Sequence, residues 1–136
     1  MTTDTTTQTS VDTVRKLFGA IKERDFATVG GLLRSDATWN HRNQDRFEGI
    51  HDGPAEIASF MRESFELTTG TLQPVPEAFM ADADGRVAVL LTLHGRRPDG
   101  RTTADLQLLL VKVDGGQISS IDHFVGDPAA VAAFWA

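Results

Sequence analysis

Two adjacent glycines, Gly115 and Gly116, lie between long apolar runs and limit what this chain can fold into. The segment Thr102 to Val125 reads as a β-hairpin, because Asp114-Gly115-Gly116-Gln117 supplies the two positive φ angles of a type I′ turn. A two-residue turn sets the register: Val113 opposite Ile118, Leu110 opposite Ile121, Leu108 opposite His123. One face then carries Leu106, Leu108, Leu110, Ile121, His123 and Val125. The other carries Asp105, Gln107, Leu109, Val111, Asp122 and Phe124, half apolar and suited to a subunit contact.

Upstream, Met1 to Ser10 is largely threonine with nothing to bury and is expected to be a flexible tail over residues 1–10. Val11, Val14, Leu17, Phe18 and Ile21 follow at helical spacing, with Ser10 as cap. Asp25 restarts a short helix from Phe26 to Leu33. Asp36 to His41 alternates as a strand in which Trp39 and His41 share a face. Arg42 to Gly53 reads as polar loop, and Pro54 opens a third helix carrying Ile57, Phe60, Met61 and Phe65. Beyond Gly70 the pattern changes to alternation. Pro74 and Pro76 mark an edge strand, Arg86 to His94 is nearly continuously apolar, and after the hairpin Asp127-Pro128 starts a closing helix to Trp135. Helices held to one side of a meander make an α+β fold, and a strongly curved sheet would enclose a cavity with them.

With 136 residues, 40% hydrophobic, the chain suits one domain, expected over residues 11–136. A formal charge of −6 without a lysine and arginine block argues against nucleic acid or anionic lipid as partner. Cysteine is absent, which excludes thiolate chemistry and suits a cytoplasmic setting. No apolar run is long enough for a membrane span. No phosphate loop or dinucleotide fingerprint is present, and the histidines lack a short metal-binding spacing, so neither cofactor nor metal is indicated.

The order of helix, Arg24-Asp25-Phe26 helix, Asp36-Ala37-Thr38-Trp39 strand, Gly49-x-x-x-Gly53-Pro54 helix, hairpin and Asp127-Pro128 ending resembles the SnoaL-like members of the nuclear transport factor 2-like superfamily, which also holds the ketosteroid isomerases. The resemblance implies a cone-shaped α+β barrel: three N-terminal helices on a strongly curved, mostly antiparallel sheet, a pocket between them, and a homodimer through the outer sheet face. It also places His41 where ketosteroid isomerases carry their aspartate base, and Leu17 and Leu110 near their oxyanion-hole positions. His123 falls where SnoaL-type cyclases carry an acid on the last strand, so the family carboxylates are missing here.

His41 and His123 are therefore the expected catalytic pair, since imidazole moves protons in either direction near neutral pH. Trp39, Phe60, Val89, Leu91, Leu106, Leu108, Leu110 and Ile121 are the expected lining for a small apolar substrate. The competing reading of each histidine is a core ring satisfied by a hydrogen bond. Two functions stay open: a cofactor-independent polyketide cyclase or isomerase acting by proton transfer on a polyketide- or terpenoid-like molecule, and a non-catalytic binding or self-resistance protein using the same pocket.

Overall fold

The computed structural model describes the backbone of residues 2–136 and the side chains from residue 7 onward. Three helices come first, apart from two strands among them: α1 (Thr2–Lys22), α2 (Phe26–Leu32), β1 (Leu33–His41), β2 (Gly49–Asp52) and α3 (Gly53–Leu67). A meander of β3 (Gln73–Ala81), β4 (Arg86–Arg96), β5 (Thr102–Asp114) and β6 (Gln117–Val125) follows, and α4 (Pro128–Trp135) closes the chain. The six strands form one curled, unclosed sheet in the order β2-β1-β6-β5-β4-β3, antiparallel except where β1 runs beside β6. This is the expected α+β architecture.

Local chemistry explains the boundaries. Asp25 caps α2, its Oδ1 accepting from the Thr28 amide at 3.1 Å, and Asp127 caps α4 through the Ala130 amide at 3.1 Å. The loop expected between Arg42 and Gly53 ends in a strand, because β2 turns back to pair with β1. Ser10 is buried inside α1 and caps nothing. Of the tail expected over residues 1–10, the side chains of 1–6 lie outside the described residues, and 7–10 are helical.

The glycine turn forms as expected, with Gly115 at φ 57° and Gly116 at φ 80°, and Val113 lies opposite Ile118. One step further the register departs from a simple hairpin. Lys112 pairs with Ser120, leaving Ser119 as an extra residue on β6, so that Val111 meets Ile121 and Leu109 meets His123. Ser119 donates from Oγ to Asp114 Oδ2 at 2.8 Å, which anchors the bulge. The inserted residue flips β6 relative to β5, so that the inward-facing Ile121 and His123 now share their face with Val111 and Leu109. Leu106, Leu108 and Leu110 therefore lie on the outer face, 51%, 37% and 40% exposed, whereas Leu109 and Val111 are 3% and 0% exposed. This corrects the expected lining at those three leucines. It also corrects the expected outer face, since Leu109 and Val111 belong to the core and only Phe124 of the three apolar residues read there points outward.

The core fills the space between the concave sheet face and the helices. Leu17 from α1, Val29 from α2, Ile57 from α3 and Val87, Val89, Val111, Ile118 and Ile121 from the sheet are all essentially inaccessible. Removing apolar surface from water on this scale is the main force holding the helices on the sheet.

Candidate functional site

The parallel pairing of β1 with β6 builds the site. It sets Trp39 beside Ile121 and His41 beside His123, and the alternation of β1 turns Trp39 and His41 to the same interior face. The two imidazoles meet edge to face, with ring centroids 4.8 Å apart and Nδ1 to Nδ1 at 3.3 Å. The Trp39 indole donates to His123 Nδ1 at 3.2 Å, and His123 Nε2 lies 2.6 Å from Gln107 Oε1. Gln107 then donates to Asp105 Oδ2 at 3.1 Å, and Asp105 accepts the amides of Gly126 and Asp127 at 3.0 Å each.

On the other side, His41 Nε2 lies 2.9 Å from Asp45 Oδ2. The Asp45 side chain is fully buried and accepts from Asn43 Nδ2 at 2.8 Å and the Phe47 amide at 2.8 Å. Burial pushes its carboxyl pKa up, but the hydrogen bond and charge of His41, with Asn43 and the Phe47 amide, outweigh this and hold it below the ordinary value. Asp45, His41, His123, Gln107 and Asp105 thus form one chain of buried polar groups from the loop after β1 to the far end of β5.

Counting protons along this chain assigns its donors. Asp105 can only accept, so Gln107 turns its amide nitrogen to Asp105 and its oxygen to His123. His123 therefore carries its proton on Nε2, and Nδ1 is free to accept from the donor-only indole of Trp39. At the other end Asp45 accepts, so His41 donates from Nε2. The remaining Nδ1 to Nδ1 contact becomes a second, shared hydrogen bond to His123 Nδ1 when His41 also carries a proton there, the doubly protonated form that the Asp45 carboxylate favours. Desolvation, reinforced by the His41 charge and only partly opposed by Asp45, lowers the His123 pKa to about 3.

His123 and Gln107 form the polar end of a cavity of about 70 Å³, otherwise walled by α1, α3 and the concave sheet through Phe18, Ile21, Trp39, Phe60, Met61, Phe65, Leu72, Leu91, Leu93 and Leu109. Ser64 also lines it, but its hydroxyl is bonded back to the Met61 carbonyl at 2.6 Å. That volume is small beside the roughly 300–1,000 Å³ usual for a drug-sized ligand. Of the residues expected to line a pocket, Trp39, Phe60 and Leu91 do so. Val89 and Ile121 are buried in the core without lining the cavity, and Leu106, Leu108 and Leu110 are on the other side of the sheet. His41 stands one layer behind His123.

Asp45, Asn43, Gln107 and Asp105 were not expected here. Gln107 and Asp105 alternate with Leu109 and Val111, so allowing for a bulge at Ser119 would have turned them inward. Asp45 follows His41 by four residues in what reads as polar loop, and nothing in that spacing marks it as buried. His51 stacks on Phe60, with ring centroids 4.4 Å apart, and its Nε2 reaches the Phe47 carbonyl at 2.8 Å. Among the described residues, no group of three or more histidines and carboxylates is arranged to hold a metal ion, and no helix is long and apolar enough to cross a membrane.

The chain is 26% identical over 131 residues to an uncharacterised protein of Mycobacterium tuberculosis, covering 96% of this chain and 99% of that one. Bal32a, from a soil-derived mobile gene cassette, has a similar structure, with a TM-score of 0.92 at 22% identity over 96% of this chain and 99% of that chain. TerC, co-crystallised with polyporic acid, superposes with a TM-score of 0.82 at 18% identity over 93% of this chain and 97% of that chain. The curled sheet with its helices is a fold of the nuclear transport factor 2-like kind, and the sequence profile of the SnoaL-like domain matches residues 14–121, so the chain belongs to the SnoaL-like family.

Proposed function

We propose that this protein is a cofactor-independent enzyme of the polyketide cyclase or isomerase kind, moving a proton at a carbonyl of a small, largely apolar polyketide- or terpenoid-like molecule. The observation that carries this reading is the buried Asp45, His41 and His123 chain ending on an apolar cavity. With its pKa lowered to about 3, His123 is a poor base at neutral pH and acts as a donor. Its Nε2 proton, now held by Gln107, is offered to a ligand oxygen when the carboxamide gives way. As that proton leaves, His41 supplies its own to His123 Nδ1, and the Nε2 so bared takes the α-carbon proton of the protonated carbonyl, leaving the enol and returning both rings to their starting protonation, with Asp45 stabilising His41 throughout. Excluding water from the apolar cavity strengthens each of these hydrogen bonds. TerC with polyporic acid supports a fold able to hold a small organic ligand.

The test is α-hydrogen exchange of 2-tetralone in deuterated buffer, followed by proton NMR. Exchange above the buffer rate, lost by a factor of about 10²–10⁴ in His123→Phe and His41→Gln, supports the reading. Exchange that is unaffected in folded His123→Phe ends it. A second reading, a non-catalytic binding or self-resistance protein, is favoured by the fact that both ring nitrogens of His123 are already satisfied internally. It predicts that the ketone binds without any gain in exchange.

The reading extends to a homodimer through the outer sheet face. Leu90, Leu106, Leu108, Leu110, Met80 and Phe124 lie exposed on neighbouring strands there, an apolar surface of the kind that a second copy covers. Sedimentation should give a dimer mass, and Leu108→Lys a monomer.

A further inference from the structure

Besides the cavity, a groove of about 310 Å³ runs between α1 and β3, lined by Arg15, Phe18, Gly19, Lys22, Pro74 and Phe79 among others. Phe18 and Pro74 belong to both spaces, so these two side chains are the partition between the groove and the cavity. Two other grooves also share an aromatic residue with the cavity, but their partitions are pinned. Phe60 is held by Trp39, His41, Phe47 and His51 at centroid distances of 4.4–6.4 Å, and Phe65 lies under the Arg24 guanidinium at 3.7 Å. Among the described residues Phe18 has one aromatic neighbour, Phe79, edge-on at 6.5 Å. Of the three rings, Phe18 has the fewest aromatic and cation contacts among the described residues, and a turn of its ring within the core is the motion that would connect the two spaces.

The groove is marked by charge and by a missing side chain. Arg15 and Lys22 line it, and neither forms an ion pair with a described residue, in a chain whose formal charge is −6. The Arg15 guanidinium sits over the Phe79 ring at 4.2 Å, which holds it along the groove. Gly19 lies within α1, where glycine is unfavourable, yet a Cβ there would meet nothing within 4 Å. Packing does not require that glycine, and any larger side chain would fill the groove beside Phe18. A groove of similar size outside Phe60 offers Arg46 against Glu56 and Glu63, an acidic balance that would repel an anion.

We infer that the groove between α1 and β3 is the outer half of the ligand site, and that the ligand is an amphipathic anion. Its apolar ring body lies past Phe18 toward His123, and its carboxylate or enolate is held by Arg15 and Lys22. This rests on the cavity being a ligand site, as proposed above, and adds the chemical class that the site selects.

The probes are 2-naphthoate and the neutral 2-naphthylmethanol, which share a ring body, titrated into the full chain by calorimetry. Naphthoate should bind at least tenfold more tightly than the alcohol. Arg15→Gln/Lys22→Gln should remove that difference by weakening naphthoate alone, as should raised ionic strength. Both substitutions are on the surface, so circular dichroism should be unchanged. Gly19→Leu should weaken both probes by filling the groove. If the alcohol binds as well as naphthoate, or the double variant leaves naphthoate binding unchanged, the anion assignment falls and the cavity reading stands. If Gly19→Leu changes neither probe, the groove is not part of the site. If neither probe binds, both readings fall.

Discussion

His41 and His123 face one another Nδ1 to Nδ1 at 3.3 Å, and only one of the two facing nitrogens can bear a proton. The Trp39 indole, donating to the same His123 nitrogen, keeps that nitrogen bare, so a proton between the two rings belongs to His41. In nitrogen-detected spectra near neutral pH, His123 should show a proton on Nε2 alone and His41 a proton on both ring nitrogens. A bare nitrogen on His41 would dismantle the proposed relay.

Asp45 is the buried counter-charge to that ring. Asp45→Asn replaces the charged acceptor of the His41 ring with a neutral one and should cost about 1.5–3 kcal/mol in urea unfolding, the usual worth of a hydrogen bond to a charged group. Adding His41→Gln should recover part of the loss. Strictly additive losses in the double variant would mean that the two residues are not coupled.

Acid should destabilise the fold through His123. Its native pKa is lowered from 6.5 to about 3 by burial and the His41 charge, so between these values the unfolded chain binds a proton that the native chain refuses. Its contribution to stability is fully present above pH 6.5 and is lost at about 1.4 kcal/mol per pH unit down to about pH 3. Asp45, whose pKa is depressed, adds to the loss in the same direction at the acid end. Unfolding midpoints measured across this range should slope accordingly in the wild type and flatten in His123→Phe. An equal slope in both proteins would contradict the buried neutral ring.

The bulge at Ser119 can be tested by comparing neighbours. Leu109→Ala removes a buried side chain and should cost about 2–5 kcal/mol, whereas Leu108→Ala, on the outer face, should cost far less in the monomer. Deleting Ser119 would restore the simple hairpin register and turn His123 away from the cavity. That variant should lose cooperative unfolding. The opposite ranking of the two leucines would restore the unbulged register.

Two glycines should respond with opposite sign. Gly85 takes φ +85° in the turn before β4, and a Cβ there would lie 2.2 Å from the Val113 carbonyl oxygen, so Gly85→Ala should cost more than about 1 kcal/mol. Gly19→Ala meets open space within a helix and should add about 0.5–1 kcal/mol. Thermal midpoints of the two variants check both signs.

Periodicity and punctuation in the sequence determined the architecture. The stripe from Val11 to Ile21, the prolines at 54 and 128, the edge prolines 74 and 76, and the paired glycines at 115 and 116 act within one turn or one strand, so their consequences are visible locally. The resemblance to the SnoaL-like family, not local pattern, brought out the two histidines. What only the tertiary structure decided is which way β5 faces and what surrounds those rings. A single extra residue at Ser119 exchanges the interior for the exterior along a strand with apolar residues on both faces, and local pattern cannot separate such faces when both are leucine-rich. Likewise Asp45 is a loop carboxylate until β1 folds against β6. Its burial is stabilised by a histidine and by Asn43, side chains that become its partners only in the folded site, where desolvation makes each hydrogen bond count.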